Sequence, residues 1–307
     1  MPAYLLGRLG SALLVVLGAA TIVFLAMRAI PGDPAVVMLG VSATPEQVAA
    51  LRADWGLDAP LPVQYLNFLT RMVVLDFGQS IRLGMPAMQA VSQTLPYTIY
   101  LALVAFALAL LVGFPLGVFS ALQRGKAADK LISLFSLAGQ SLPSFWVGIM
   151  LVLLLSRTLH ILPSGGAGSP EAVLLPAVTL ALPLLSVIVR LVRSGLLESM
   201  GEPYIQTARA KGLGETRVVG VHGVRNMLIP VVTVVGLELG TLLGGAVIVE
   251  TVFAWPGLGR LLIDSIAARD YAVVQASVVM LVLFFVSINI VVDLLYGVLD
   301  PRVRVDG

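Results

Sequence analysis

The side chains that carry out most enzyme chemistry are scarce in this chain. It contains no cysteine, which removes a thiolate metal site, a disulfide framework and a cysteine nucleophile. Its two histidines, His160 and His222, stand too far apart in sequence to form the paired ligands of a zinc-protease helix. Ser164 or Ser194 with either histidine would supply a nucleophile and a base. Their spacing follows no hydrolase pattern, and each histidine adjoins the end of an apolar run, where a solvated role suits it. A phosphate-binding loop needs a glycine-rich turn, a lysine and a hydroxyl for magnesium; Gly125-Lys126 is followed by Ala127 and lacks the earlier glycine. No catalytic constellation emerges. The expectation is a chain that is not an enzyme and binds no metal or cofactor of its own.

One polar group stands out by its surroundings. Glu238 is the only charge between Asn226 and Val249. An ionised carboxylate at the centre of a membrane helix costs about 2.5–3.5 kcal/mol or more on insertion scales, so Glu238 should face protein or water. It either bonds to a neighbouring helix or lines a polar pathway. Gly236, Gly240 and Gly244 run beside it in a small-xxx-small pattern that lets helices approach closely. Glu238 is two residues from each nearer glycine and therefore lies on a different face.

The elements that hold these groups follow from composition. Of 307 residues, 58% are hydrophobic and 12% charged, with 19 Lys+Arg against 17 Asp+Glu. That is half the usual charged share of a soluble domain, so the solvent is lipid. A helix crossing a hydrocarbon core of about 30 Å needs roughly 20 apolar residues. Uncharged runs occupy Leu9–Met27, Leu83–Gln123, Leu131–Ser156, Ala172–Val189 and Tyr271–Val292, and Asn226–Val249 is interrupted only by Glu238. The second run is too long for one span. Its first part, Gly84–Pro96, is polar and proline-flanked, so that span is placed from near Tyr97 to near Leu122.

The fold class expected is an all-α polytopic membrane protein with six transmembrane helices. The first run is longer than a signal-peptide core and has no convincing cleavage site before Arg28, so it reads as an uncleaved span.

Cations set the orientation. With both termini in the cytosol, the inner segments 1–8, 123–130, 190–226 and 293–307 hold most of the Lys+Arg; Arg190, Arg193, Arg209, Lys211, Arg217 and Arg225 lie in one loop. The short outer loops hold only Arg157, Arg260 and Arg269.

Two excursions leave the spans. The extracytoplasmic segment 29–94 carries a helix start at Thr44-Pro45-Glu46-Gln47, with Val48, Leu51 and Trp55 at helical spacing and Gly56 as a stop. It serves either as a lid over helix ends or as a docking or gating surface. In the loop 190–226, Glu202-Pro203 begins a short helix that Gly212-Leu213-Gly214 ends. Pro115, between Gly113 and Gly117, and Pro176 and Pro183 mark helices that are either kinked or able to bend.

At this loop the sequence resembles a known family. Tyr204-Ile-Gln-Thr-Ala-Arg-Ala-Lys-Gly-Leu213 is similar to the coupling segment of ABC-importer permeases, in which Glu-Ala-Ala, three residues and Gly recur. Gln206-Thr207-Ala208 occupies the triplet, departing at two positions, and Gly212 is the glycine. Both this departure and the longer gap to Met227-Leu-Ile-Pro230 resemble the dipeptide, oligopeptide and nickel branch. So do Val23–Ala35, Ala43–Arg52, Ser141–Trp146, Gly244–Arg260, Ala268–Val274 and Asp300–Val303, which together span nearly the whole chain.

The resemblance implies a first helix plus extracytoplasmic segment over 1–93, a type-1 ABC transmembrane domain over 94–296 and a cytosolic tail over 297–307. It implies a permease subunit in a bacterial inner or plasma membrane, paired with a second permease, two ABC ATPases and an extracytoplasmic binding protein. ATP and Mg would be bound and hydrolysed on the ATPases. The cargo implied is a short peptide, dipeptides first; nickel chelate, glutathione or haem are the runners-up within the same class.

Tyr204, Thr207, Ala208, Arg209, Lys211, Gly212 and Leu213 are the expected ATPase-coupling helix. Ala208 and Gly212 are expected to give a close-fitting surface, and Arg209 and Lys211 to meet acidic or phosphate-proximal groups. Glu238 is the candidate pathway group. A secondary transporter independent of ATP, using Glu238 as an ion or proton site, is the rival from another class, and an intramembrane hydrolase is a remote third.

Overall fold

The computed structural model describes residues 2–29, 33–40, 43–80 and 82–299. The tail motif at 300–303 and part of the segment Val23–Ala35 lie outside these residues.

Helix α1 (Pro2–Ala29) contains the first candidate span, Gly7–Ala29. The excursion that follows is richer than its one legible helix. It comprises α2 (Pro34–Leu39), α3 (Pro45–Asp54), α4 (Leu61–Val73) and a hairpin of β1 (Gln79–Ser80) and β2 (Met85–Pro86). The start of α3 is the expected one. Thr44 Oγ1 accepts from Gln47 N at 3.3 Å, and Gln47 Oε1 accepts from Thr44 N at 2.9 Å, closing a capping box. Gly56 follows the helix with φ +61°, a conformation that glycine adopts without steric cost.

Helix α5 (Ala87–Leu122) starts at Ala87 rather than near Tyr97. The polar stretch before Tyr97 forms its first turns, and the helix runs through Pro96 and Pro115. The third span corrects the sequence reading more strongly. In place of one helix over Leu131–Ser156 there are two, α6 (Ala127–Ser141) and α7 (Ser144–Leu151), the latter continued by a π-helical segment Val152–Thr158. The two arms are bent by 109°. Pro143 causes the break: it has no N–H to donate and disfavours a helical Leu142, which is extended at φ −81°, ψ 134°. Among the described residues five helices are long and apolar enough to cross a membrane, and six spans result if this bent pair counts as one.

Helix α8 (Leu174–Gly201) follows a 3-10 turn, Pro170–Val173. Pro176 falls in its first turn, where no intrahelical N–H is needed, so of the two prolines only Pro183 is interior. The helix passes Arg190 by about three turns; the loop expected to begin there starts as rigid helix. Then come α9 (Pro203–Ala210), the single turn α10 (Glu215–Arg217), a π-helical turn Val218–Gly223, and α11 (Val224–Val252). Helices α12 (Leu258–Ala267) and α13 (Tyr271–Leu299) complete the chain's described part.

The chain divides into two units, 1–98 with 256–287, and 99–255 with 288–307. In the first, Phe24, Phe68, Phe77, Val91, Leu258 and Val273 form the core. The Phe24 ring meets Tyr65 edge-on at 5.1 Å. Asp270 fastens the hairpin to α13: it accepts from Ser80 Oγ and, through its other oxygen, from Val273 N at the start of that helix. Thr98 Oγ1 accepts from Leu258 N at 2.8 Å.

In the second unit, α8 is the central helix, with Ile188, Val192 and Leu196 almost wholly enclosed. Glycines set its distance from neighbours. A Cβ on Gly117 of α5 would lie 2.7 Å from Val192 Cβ, and one on Gly113 would lie 3.2 Å from Ile188. The opposite condition holds on outward faces, where Leu14, Leu111 and Leu131 are exposed by 73%, 76% and 66%. Such apolar stripes suit hydrocarbon.

Candidate functional site

The segment joining α8 to α11 is a folded element with its own small core. On α9, Ile205 and Ala208 are one turn apart and both point inward, onto Val218; Met200 and Leu213 pack around them. The outward positions are Tyr204, Thr207 and Lys211, at i, i+3 and i+7, together with Gln206 and Arg209. The expected coupling residues therefore separate into two groups. Ala208 is small because the interior is tight and does not reach the surface.

Gly212 is exposed, and a Cβ there would meet nothing within 4 Å. Its constraint is conformational, with φ +74°. Gly212 N donates to Arg209 O at 2.9 Å and Leu213 N to Ala208 O at 3.3 Å, the paired bonds of a Schellman stop, and Leu213 packs back on the core as that motif requires. The expected close-fitting pair of Ala208 and Gly212 is corrected in this respect: one residue fills the inside and the other turns the chain.

Arg209 also has a local partner. Its Nε and a terminal nitrogen donate to the two carboxylate oxygens of Glu215 at 2.7 and 3.2 Å. The guanidinium holds the Glu215 carboxyl below the usual range, and the carboxylate raises Arg209 in turn. Lys211 is the exposed cation of the turn. At the base of the element, Ser199 Oγ lies 2.6 Å from the Tyr204 hydroxyl and donates to Gly223 O at 3.1 Å. Gly195 and Gly223 let the end of α8 approach Met227 and the start of α11, where side chains would collide. The end of α8 and the start of α11 are thus fastened together at the base of α9.

The residues around Glu238 differ from expectation. The carboxylate is half-buried and accepts from Thr241 Oγ1 of its own helix at 2.8 Å, rather than from a neighbouring helix. Gly236 packs closely, since a Cβ there would lie 2.5 Å from Val292 Cγ1. Gly240 is buried, whereas Gly244 faces open space, and Gly245 takes the close approach, to Leu180. The three-glycine seam is therefore not continuous within this chain.

Two acidic residues escaped the sequence reading. Asp129, in the first turn of α6, is buried and is gripped by Arg193 of α8. Glu250, placed by the sequence just beyond the fifth span, lies within α11, which continues to Val252, and is wholly enclosed. The signal for Asp129 was its position as the lone acid beside Arg124, Lys126 and Lys130.

Apolar spans, a proline-broken helix pair and a short helix fastened between two long ones define a polytopic helical membrane protein. Comparison with known proteins names the class. The model of the binding-protein-dependent transport system inner membrane component matches residues 113–305, and its N-terminal companion matches residues 1–102. A Brucella abortus protein named as a peptide transport system permease is 43% identical over 314 residues, covering 100% of both chains. The glutathione transport system permease protein of Salmonella typhimurium is 41% identical over 301 residues, 98% of each. An inward-facing structure of the MetNI methionine ABC transporter superposes with TM-score 0.57 at 19% identity, covering 69% of this chain and 97% of the other, and shows a shared fold. The chain belongs to the family of binding-protein-dependent transport system inner membrane components, the permease subunits of ABC importers.

Proposed function

We propose that this chain is one of two related permeases in an ATP-driven importer of short peptides, with dipeptides as the main cargo. An extracytoplasmic binding protein delivers the peptide, and two ATPase subunits, carrying ATP and Mg, drive the cycle. Both termini and the α8–α11 element lie in the cytosol, as the distribution of Lys and Arg supports. Glu238 serves the polar pathway. The relatives named for peptide and glutathione transport support a peptide-like cargo.

The observation that carries the mechanism is the build of residues 199–223. A helix packed on its own small core, with an outward Tyr204–Thr207–Lys211 face, supports the reading of α9 as the element that the ATPases push. Its ties through Ser199 and Gly223 pass that force to α8 and α11. ATP-driven closure of the ATPases would displace α9 and, with it, these two spans. No step of the hydrolysis falls to this chain.

The test is reconstitution of the complex in proteoliposomes with the binding protein and dialanine. Peptide-stimulated ATP hydrolysis and ATP-dependent uptake are expected, and Thr207→Trp should remove both. Full coupling in that variant would overturn the assignment of α9; uptake that ignored ATP but followed an ion gradient would overturn the importer reading.

A further inference from the structure

Within the first unit lies a cavity of about 360 Å³, the scale of a small-molecule site, between the end of α1, α3, α4 and the start of α13. Its polar lining is built from deep positions. Tyr271 and Gln275, one turn apart on α13, are 4% and 7% exposed, and both line the cavity. A phenol and an amide on one wall give a ligand in the cavity a donor and a donor–acceptor pair to bond with.

Across the cavity, Arg28 is held rigid. Its Nε and Nη2 donate to Gln64 Oε1 at 3.0 and 2.8 Å, Nη1 donates to Phe24 O at 3.4 Å, and the guanidinium lies 3.5 Å over the Phe24 ring. Gln64, itself 9% exposed, is fixed by donating to Leu57 O and Ala59 O. Three of the five guanidinium N–H donors are thereby used and one remains on each terminal nitrogen. Among the described residues no carboxylate lies within ion-pair distance of Arg28. Asp76 also lines the cavity, and one of its oxygens accepts from Gly78 N.

We propose that this cavity is a binding site for the carboxylate end of a short peptide. The two remaining donors of Arg28 take the carboxylate, the amide of Gln275 exchanges hydrogen bonds with the peptide group, and the Tyr271 hydroxyl supplies a further donor. Asp76, which lines the cavity together with Arg71, offers the ammonium of a zwitterion a partner that a phosphate dianion cannot use. Two segments that resemble the family, Val23–Ala35 and Ala268–Val274, contribute Arg28 and Tyr271. The choice of a peptide as the carboxylate's bearer rests on the import reading; the site's preference for a carboxylate does not.

The experiment is calorimetry on the full chain in phosphatidylcholine nanodiscs, without binding protein or ATP, using dialanine, dialanine amide and inorganic phosphate. Dialanine should bind at one site, its amide and phosphate at least tenfold more weakly. Gln275→Leu and Tyr271→Phe should each weaken dialanine about tenfold, and Arg28→Gln should abolish binding. Absence of dialanine binding, equal binding of the amide or phosphate, or unchanged affinity in Tyr271→Phe and Gln275→Leu would each refute the site. Those two variants also decide the matter if Arg28→Gln does not fold. A complex that imports dialanine while its permease lacks this binding refutes the site alone. Intact Arg28-dependent binding in a complex without uptake refutes the import reading alone.

Discussion

Arg193 grips Asp129 with two hydrogen bonds, Nε to one carboxylate oxygen at 2.6 Å and Nη2 to the other at 2.9 Å. The same carboxylate accepts from Ser120 Oγ at 2.7 Å and from Gly125 N at 2.9 Å. One acid thereby joins the end of α5, the turn after it, the start of α6 and the middle of α8. Asp129 is only 5% exposed within the pair, so its desolvation is offset by a complete set of donors.

Removing one partner should therefore be far worse than removing both. Asp129→Asn leaves a half-buried guanidinium without a counter-ion and should cost about 2 kcal/mol. Asp129→Leu combined with Arg193→Met should recover much of that loss. Thermal unfolding of the purified variants in detergent checks the order, and additive losses would show that the pair is not the cause.

At Gly212 the backbone sets the cost. Gly212→Ala places a Cβ in a left-handed conformation at about 1–2 kcal/mol, with no collision to relieve. Gly212→Asn should be milder, because asparagine tolerates this region. Hydrogen exchange of the amides of Gly212 and Leu213 should rise in the alanine variant and change less in the asparagine variant.

Ala208 and Thr207, adjacent in sequence, should fail in different ways. Ala208→Trp forces bulk between Ile205 and Val218 and should unfold α9, seen as rapid proteolysis between 203 and 217. Thr207→Trp adds the same bulk to the outer face and should leave proteolysis unchanged while blocking co-purification with the ATPases. Equal proteolysis in both variants would contradict the inward and outward assignment.

The Arg209–Glu215 pair predicts a pH dependence with a definite sign. The folded Glu215 carboxyl titrates below its ordinary value of 4.5, so the pair's support is fully present above that value and is lost as pH falls through the lowered one. The turn after α9 should be equally protected from protease at pH 7 and 5.5 and should loosen only in stronger acid. Glu215→Gln should remove the acid-specific part of that change, and 1 M salt should weaken the pair at every pH because both groups are exposed.

How much of this was legible depended on distance along the chain. The capping box at Thr44, the proline start and glycine stop of α9, and the apolar lengths of the spans are local properties, and the sequence alone determined them. The charged fraction settled that the solvent is lipid, and the coupling motif settled the family before any contact was known.

The orientation of side chains within those elements was decided only by tertiary structure. Ala208 turns inward because Val218, at the start of the π-helical turn that leads back to α11, offers it a core. Asp129 waits for an arginine 64 positions away, and Glu250, in a helix that outlasts its hydrophobic run, is enclosed only in the folded chain. Pro143 marked a break, but its 109° angle belongs to the packing of the two arms. Periodicity and caps act over one or two turns of helix, whereas burial of charge, close glycine contacts and the Arg28–Tyr271–Gln275 cavity arise from segments that meet only when the chain has folded.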